Sequence, residues 1–511
     1  MMPSVIPHMK VVISSHNFSV SRLSPRGREI CNMFAKQWVQ WGWEEVGGRY
    51  SKVMKKVFAS AMNDRSSFRF HINALPGFKK LLANFELHES LIEWLETPSY
   101  TPVAVEYKVK PHVIARDYQV PVIEYLTQEK PHAKLVELQT GDGKGTVSLL
   151  AMATLGTRTV GIIKPQYLTK WKDEINSLYE DFKDEVMIIR GNHHLCALLD
   201  LAREERLTEK VILISSSTLR NWITKYEEFG EETLDMGYSC TPDKLFEFLG
   251  AGIRLIDECH QDFHFYFKLD TYSNVPCSIS LSATLINKDP FIYNMYHVMF
   301  PLNTRMQKRE LNKYTDAAAV HYQIKDIRQI KTTYFGSSNY SHGAFEESIL
   351  KNYLMTMNYF AMIDNVLQMS YFKNRLPVDK AIIFAASIDM CTRLTDWLKK
   401  KYPSMDIRRY VENDPYENVI DAEIRVTTIG SGGTAIDIPG LSTALMTTCI
   451  LSEQANVQAM GRLRKRIVGK TEFYYLVADN IVKHVQYHEA KQELMKERAK
   501  TFRDLNSGST I

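Results

Sequence analysis

VELQTGDGKGTVSLLAMA, residues 136–153, decides how the chain is read. An apolar run ends at Leu138, a turn carrying Gly141, Gly143 and Gly145 follows, and an apolar helical pattern takes over at Thr146. Strand, glycine-rich turn and helix in that order is what an anion cradle needs. Backbone N–H groups and a helix N-terminus face the anion, and Lys144 adds a mobile charge. Such a loop ordinarily reads Gly-Lys-Thr or Gly-Lys-Ser, because the hydroxyl holds Mg²⁺ beside the nucleotide phosphates. Here Gly143-Lys144 runs into Gly145, and the hydroxyl arrives one residue late, at Thr146. One residue along a helix turns a side chain by about 100°. Thr146 therefore replaces a hydroxyl at 145 only if the helix starts one residue later; otherwise water fills the position. Taken alone, the stretch reads equally as a plain glycine-rich turn.

Its surroundings set the fold class. AKLVEL (133–138), TVGIIKP (159–165), VILISSS (211–217), IRLIDE (253–258) and SISLSAT (278–284) are short apolar runs bounded by turn signals. Helical patterns such as TKWKDEINSLYEDF (169–182) lie between them. Strands apolar throughout, alternating with helices, predict a parallel sheet covered on both faces. The pattern returns with KAIIFAAS (380–387), EIRVTTI (423–429), TALMTTCIL (443–451) and TEFYYLV (471–477). Between the two sets, residues 345–370 read as an amphipathic helix. The N-terminal part differs: 24–45 looks helical, and 66–85 reads as a short strand, a Pro-Gly turn and a helix. Pro98, Pro102 and Pro111 mark a boundary. The expected organisation is a small α+β domain over 1–100 and a parallel-sheet α/β domain over 101–320. A connecting helical segment over 321–375 and a second α/β domain with a C-terminal helix over 376–511 complete it.

Composition narrows the class. With 45% hydrophobic and 24% charged residues, the 511-residue chain buries several ordinary cores. Residues 1–110 carry 15 Lys+Arg against 9 Asp+Glu, a local +6, while the whole chain sums to +4. That asymmetry suits an anionic partner for the N-terminal part, or simply a basic surface. Seven scattered cysteines without a CxxC pair argue for reduced thiols, hence a cytoplasmic setting. No signal peptide is expected at the start, and no run is long and apolar enough to span a membrane.

Four further features carry chemistry. IRLIDECH (253–260) ends an apolar strand in Asp257-Glu258, where one carboxylate suits Mg²⁺ and the other water activation. ARDYQ (115–119) places Arg116 and Gln119 before the loop, and a glutamine can hydrogen-bond an adenine edge twice. LSAT (281–284) closes another strand, and QAMGRLRKR (458–466) sets four cations after a glycine. Each also has a bland reading, as a solvated turn, a helix cap or a charged face.

Their order along the chain resembles superfamily 2 helicases over residues 112–482. In that family a glutamine motif, a phosphate loop, a DExH box, a Ser-Ala-Thr motif and a Gln-x-x-Gly-Arg motif follow one another, as Gln119, Lys144, Asp257-Glu258, Ser282-Ala283-Thr284 and Gln458-x-x-Gly461-Arg462 do here. KPQYLTKWKDEI (164–175), ISSSTL (214–219), FAAS (384–387) and GGTAIDIPG (432–440) are similar to further motifs of the family. The resemblance implies two RecA-like domains with ATP and Mg²⁺ between them. Gln119 and Arg116 would meet the base side, and Thr140, Gly141, Asp142, Gly143, Lys144, Gly145 and Thr146 the phosphates. Asp257, with Thr146 on the loop side, would bind Mg²⁺, and Glu258 would activate water. Gln458, Arg462, Arg464 and Lys465 would serve the γ-phosphate from the second domain. Lys164, Ser282, Thr284, Thr434 and Asp437 would couple hydrolysis to nucleic acid. Gly145, Ala435 and Lys465 depart from the family pattern; with Lys465 in place of the second motif arginine, the identity of the finger is open among Arg462, Arg464, Lys465 and Arg466.

The N-terminal stretch FRFHINALPGFKKLLANF (68–85) is similar to that of phage UvsW-type branch-migration helicases. That resemblance implies a monomeric, ATP-dependent motor on branched or double-stranded DNA, acting at forks or Holliday-type junctions in recombination, replication and repair. An RNA helicase, or a DNA-binding protein of the same fold without hydrolysis, are the alternatives. Phe68, Phe70, Phe78, Trp38 and Trp41 suit either a base-stacking surface or that domain's own core.

Overall fold

The computed structural model describes residues 7–46, 49–98, 100–138, 142–282, 285, 289–306, 313–334, 339–373, 375–412, 414–432, 438–466 and 468–511. The chain forms two units, one of Met1–Leu138 with Gly143–Lys308, the other including Arg309–Ile511.

The first unit begins with β1 (Met9–Ile13) and β2 (Asn17–Ser21), followed by a hairpin of β3 (Val39–Val46) and β4 (Arg49–Val57). Then come β5 (Ser60–Ala61), β6 (Phe68–His71) and β7 (Ile92–Glu96), which complete a mixed sheet in the order β5-β6-β2-β1-β7. The stretch 24–45, expected to be helical, divides. Pro25–Lys36 is a helix whose N-cap Ser24 accepts from Gly27 N, and Val39–Val46 is a strand. Alternation through Trp41, Gly42 and Trp43, with aromatic side chains that fit a pleated surface, overrides the helical pattern. The expected Pro-Gly turn at 76–77 is instead the first turn of the helix Leu75–Asn84, where proline's missing N–H costs nothing.

Phe68, Phe70, Phe78 and Trp38 are buried, with Phe34 and Phe70 ring centroids 4.9 Å apart, so these aromatics are core. Trp41 is not: it is 48% exposed on the hairpin, beside Trp43 at 67% and Tyr50 at 74%. The core of the mixed sheet continues into the next domain. Phe58 meets Phe263 with ring centroids 5.9 Å apart, and His71 Nε2 lies 3.2 Å from the fully buried Asp270, itself paired with buried Arg254.

β8 (Ala133–Glu137), β9 (Thr159–Ile163), β10 (Val186–Ile189), β11 (Val211–Ser215), β12 (Ile253–Ile256) and β13 (Cys277–Ser282) form a parallel sheet in the order β10-β11-β9-β12-β13-β8. Every residue of β9, β11, β12 and β13 is buried, the consequence of helices on both faces. Ser282 pairs with Glu137 and Ile256 with Ser280, so β8, β13 and β12 end at one edge. That edge receives the glycine-rich loop and Asp257-Glu258.

The second unit holds β14 (Thr315–Gln323), β15 (Lys380–Ala385), β16 (Ile407–Tyr410), β17 (Ile424–Thr428), β18 (Leu441–Met446), β19 (Thr471–Ala478) and β20 (Thr501–Thr510). They form a seven-stranded sheet, β16-β17-β15-β18-β19-β14-β20, parallel throughout. Residues 345–370 make two helices rather than one, His342–Lys351 and Tyr353–Leu367. They break at Asn352, whose side chain accepts from Met355 N at 3.1 Å and caps the second. Two parallel-sheet α/β domains in tandem behind a small α+β region is the RecA-like arrangement expected. Among the described residues no helix is long and apolar enough to cross a membrane.

Candidate active site

The loop after β8 turns on Gly143, which adopts φ 80°, ψ 43° and caps the helix Lys144–Leu155. Only glycine takes that left-handed geometry without strain. Val147 N donates to Gly143 O at 2.9 Å, so helical geometry starts at Lys144 and leaves the first N–H groups without intrahelical acceptors. A helix N-terminus of this kind binds anions. Because the helix starts at Lys144, Thr146 remains one residue round from position 145. Asp142 stands immediately before the turn, while Thr140 and Gly141 lie outside the described residues.

Lys144 Nζ lies 2.9 Å from Glu258 Oε1. Glu258 follows the end of β12 with φ 48°, a left-handed conformation that costs a non-glycine residue of order 1–3 kcal/mol and clusters at functional sites. Its other oxygen, Oε2, is buried without a hydrogen bond and sits 3.4 Å from His260 Nδ1. That nitrogen is already 2.7 Å from Ser282 Oγ at the end of β13. Burial, with the Lys144 ammonium nearby, holds His260 down to about 3, so the ring is neutral. Asp257 Oδ2 accepts from Trp171 Nε1 at 2.9 Å, and Oδ1 accepts from Glu258 N at 2.9 Å. Burial first, then the Glu258 carboxylate, raises the Asp257 carboxyl above its usual range.

The helix Leu168–Leu178 supplies Trp171 and, three residues on and hence on the same face, Glu174. A Cβ added at Gly145 would lie 2.6 Å from Glu174 Cδ and 2.9 Å from Oε2, and closer still to Oε1. The space that a threonine or serine at 145 would fill is thus taken by a carboxylate. A Cβ at Gly143 would meet Gln119 Nε2 at 2.5 Å, which sets the buried Gln119 side chain against the loop. Gln119 Oε1 accepts from Arg116 N at 3.0 Å. Lys164, just past β9, has its ammonium lowered by burial against the pull of Asp262.

Lys144, Asp257, Glu258, Ser282, Gln119, Gly143 and Gly145 therefore lie together at one sheet edge. Sequence reasoning missed Trp171, Glu174 and the His260–Ser282 contact, because each meets its partner only through the packing of separate elements. The donor set fits a magnesium-bound nucleotide. Three carboxylates supply hard oxygens, an ammonium and open N–H groups suit phosphates, and Gly143 and Gly145 let the Gln119 and Glu174 side chains come against the loop where a Cβ would stand.

In the second unit, Gln458 lies on the helix Glu453–Met460, and buried Arg462 Nε donates to Gln458 O at 3.3 Å. Arg464 Nη1 donates to Gly461 O, Arg466 pairs with Asp379, and Lys465 is exposed. Thr284, Thr434 and Asp437 lie outside the described residues.

No protein-family model and no curated protein sequence matches the chain. Among solved structures it is similar to S. cerevisiae Dbp5 bound to RNA and ADP BeF3, at 11% identity and TM-score 0.49 over 76% of this chain and 90% of that one. It is similar to Mss116p bound to ssRNA and AMP-PNP, at 12% identity and TM-score 0.47 over 78% and 73%. It is also similar to the Mycobacterium smegmatis helicase Lhr bound to ssDNA and AMP-PNP, at 15% identity and TM-score 0.48, covering 76% of this chain but 49% of that one.

Proposed function

We propose that the chain is an ATP-hydrolysing helicase or translocase that acts on branched DNA. The observation that carries the nucleotide part is the Lys144–Glu258 pair at 2.9 Å, standing at the open N-terminus of the loop helix beside buried Asp257. Bound Mg²⁺ would neutralise phosphate charge. Asp257 and the Glu174 carboxylate are the residues that would hold it, the second standing where a side chain at 145 would begin. Glu258, with Oε2 not hydrogen-bonded, would take a proton from the attacking water. A nucleotide's phosphates would draw Lys144 from Glu258, so that occupancy itself frees the base. Trp171 and Ser282 would hold Asp257 and His260 in place.

The nucleic-acid part is supported by the +6 balance of residues 1–110 and by the β3–β4 hairpin. Trp41, Trp43, Tyr50 and Met54 are exposed there, and Lys52 Nζ stands 5.4 Å from the Trp41 ring centroid. Aromatic rings beside lysines suit stacked bases and phosphates. The choice of branched DNA rests on the resemblance of residues 68–85 to UvsW-type proteins. ATP hydrolysis measured without nucleic acid, with single-stranded DNA, with a four-way junction and with structured RNA tests the reading. Greatest stimulation by the junction is expected; stimulation by RNA alone would refute the DNA assignment.

A further inference from the structure

A second constellation stands in the second unit, away from every motif discussed above. β14 brings His321, the helix Val482–Arg498 brings His488, and β20 brings Asp504. Asp504 Oδ1 lies 3.2 Å from His321 Nε2 and 3.3 Å from His488 Nε2, and the three ligand atoms lie within 4.8 Å of one another. Each imidazole is oriented from behind. Asp479 Oδ1 is 2.5 Å from His321 Nδ1, and the Tyr475 hydroxyl is 2.9 Å from His488 Nδ1.

Those partners fix what faces Asp504. His321 Nδ1–H donates to Asp479, which leaves Nε2 a lone pair. Gln492 Nε2, 2.9 Å from His488 Nε2, donates to it, so that nitrogen is an acceptor as well. Two lone pairs and a carboxylate oxygen then converge with no hydrogen between them. Like-signed acceptors at this range repel, and a cation at their centre removes the conflict. The spacing suits one: tetrahedral metal–ligand bonds of about 2.0–2.1 Å set donor atoms about 3.3 Å apart. Histidines whose second nitrogen donates to a carboxylate are the usual support of such a ligand.

We propose that His321, His488 and Asp504 form a site for a divalent transition metal of the Zn²⁺ class, selected by two imidazoles and one carboxylate. Its role is structural. β20 is the edge strand of its sheet, and Asp504 is the point at which the metal would fasten it to both β14 and the preceding helix. Edge strands need such protection. The site is independent of the proposed nucleotide chemistry.

The test uses full-length protein stripped with a chelator and titrated with Co²⁺. One equivalent should give the visible absorption of tetrahedral Co²⁺, and Zn²⁺ should displace it. His488→Gln and Asp504→Asn should abolish that absorption. Asp479→Asn, which changes only the support of His321, should weaken binding by about 10–100-fold. His194→Gln, altering a surface histidine elsewhere, should leave it unchanged and so exclude non-specific binding. Absence of the absorption in the native protein would overturn the proposal. So would its persistence in His488→Gln, which would place the bound metal elsewhere.

Discussion

Restoring the ordinary phosphate-loop threonine, Gly145→Thr, should damage this protein rather than improve it. The backbone at 145 is not left-handed, so a side chain is permitted there by conformation, and the obstacle is Glu174. A Cβ 2.6 Å from Glu174 Cδ and 2.9 Å from Oε2 is well inside an ordinary contact, so the carboxylate must leave its place. Because Glu174 is a flexible side chain, the relief comes from rotation rather than from moving the helix, at about 1–3 kcal/mol. Replacing a helical glycine by threonine returns only about 0.3 kcal/mol. A net loss of about 1–3 kcal/mol follows, at about 2–4 °C per kcal/mol for a folding unit of a few hundred residues. Glu174→Ala empties the volume, so Gly145→Thr in that background should cost little. The assay is thermal unfolding of the four proteins of this cycle, where the coupling energy should be of order 1 kcal/mol or more. Mg²⁺-dependent binding of a fluorescent ATP analogue, measured on the same four, should be weaker in Gly145→Thr. Equal melting of Gly145→Thr and the native protein in both backgrounds would refute the claim that the carboxylate fills that space.

Other outcomes follow from the same geometry. Glu258→Gln should retain nucleotide binding while turnover falls by about 10²–10⁴, seen by comparing binding titrations with steady-state rates. Trp171→Phe removes a hydrogen bond that stabilises the charged form of Asp257, a carboxyl already raised by burial. Protonation would then persist to higher pH, and the acid limb of the rate profile should move upward; an unmoved limb would exclude Asp257 as its origin. Trp43→Ala, at a side chain 67% exposed, should leave the melting temperature and basal turnover unchanged. DNA affinity should fall by about 5–150-fold, from the 1–3 kcal/mol of one base stack, as read by fluorescence anisotropy.

How far the sequence discloses this molecule depends on whether a feature is local. Buried parallel strands such as β9 and β11 announce themselves as unbroken apolar runs, and the glycine-rich loop marks where an anion would sit. β20 does not: Thr501–Thr510 is polar and half exposed, so a C-terminal helix was expected to close the chain where an edge strand follows it. The hairpin was hidden because Trp41 and Trp43 lie next to a genuine helix and share its polar–apolar mixture. His260 gave no sign of a partner, since Ser282 reaches it only through the pairing of β12 with β13. Glu174 was invisible for the same reason. The missing hydroxyl is a local fact about Gly145, but the carboxylate that occupies its place comes from a helix beginning 23 residues later, at Leu168.

The central claim is that Lys144 and Glu258 form the working pair of an ATP site, and hydrolysis with and without four-way-junction DNA tests it most directly. In the native protein, Mg²⁺-dependent turnover stimulated by the junction is expected. Lys144→Ala should fall to background while the circular-dichroism spectrum stays native. Turnover in Lys144→Ala equal to that of the native protein, or no turnover in either, would contradict the account.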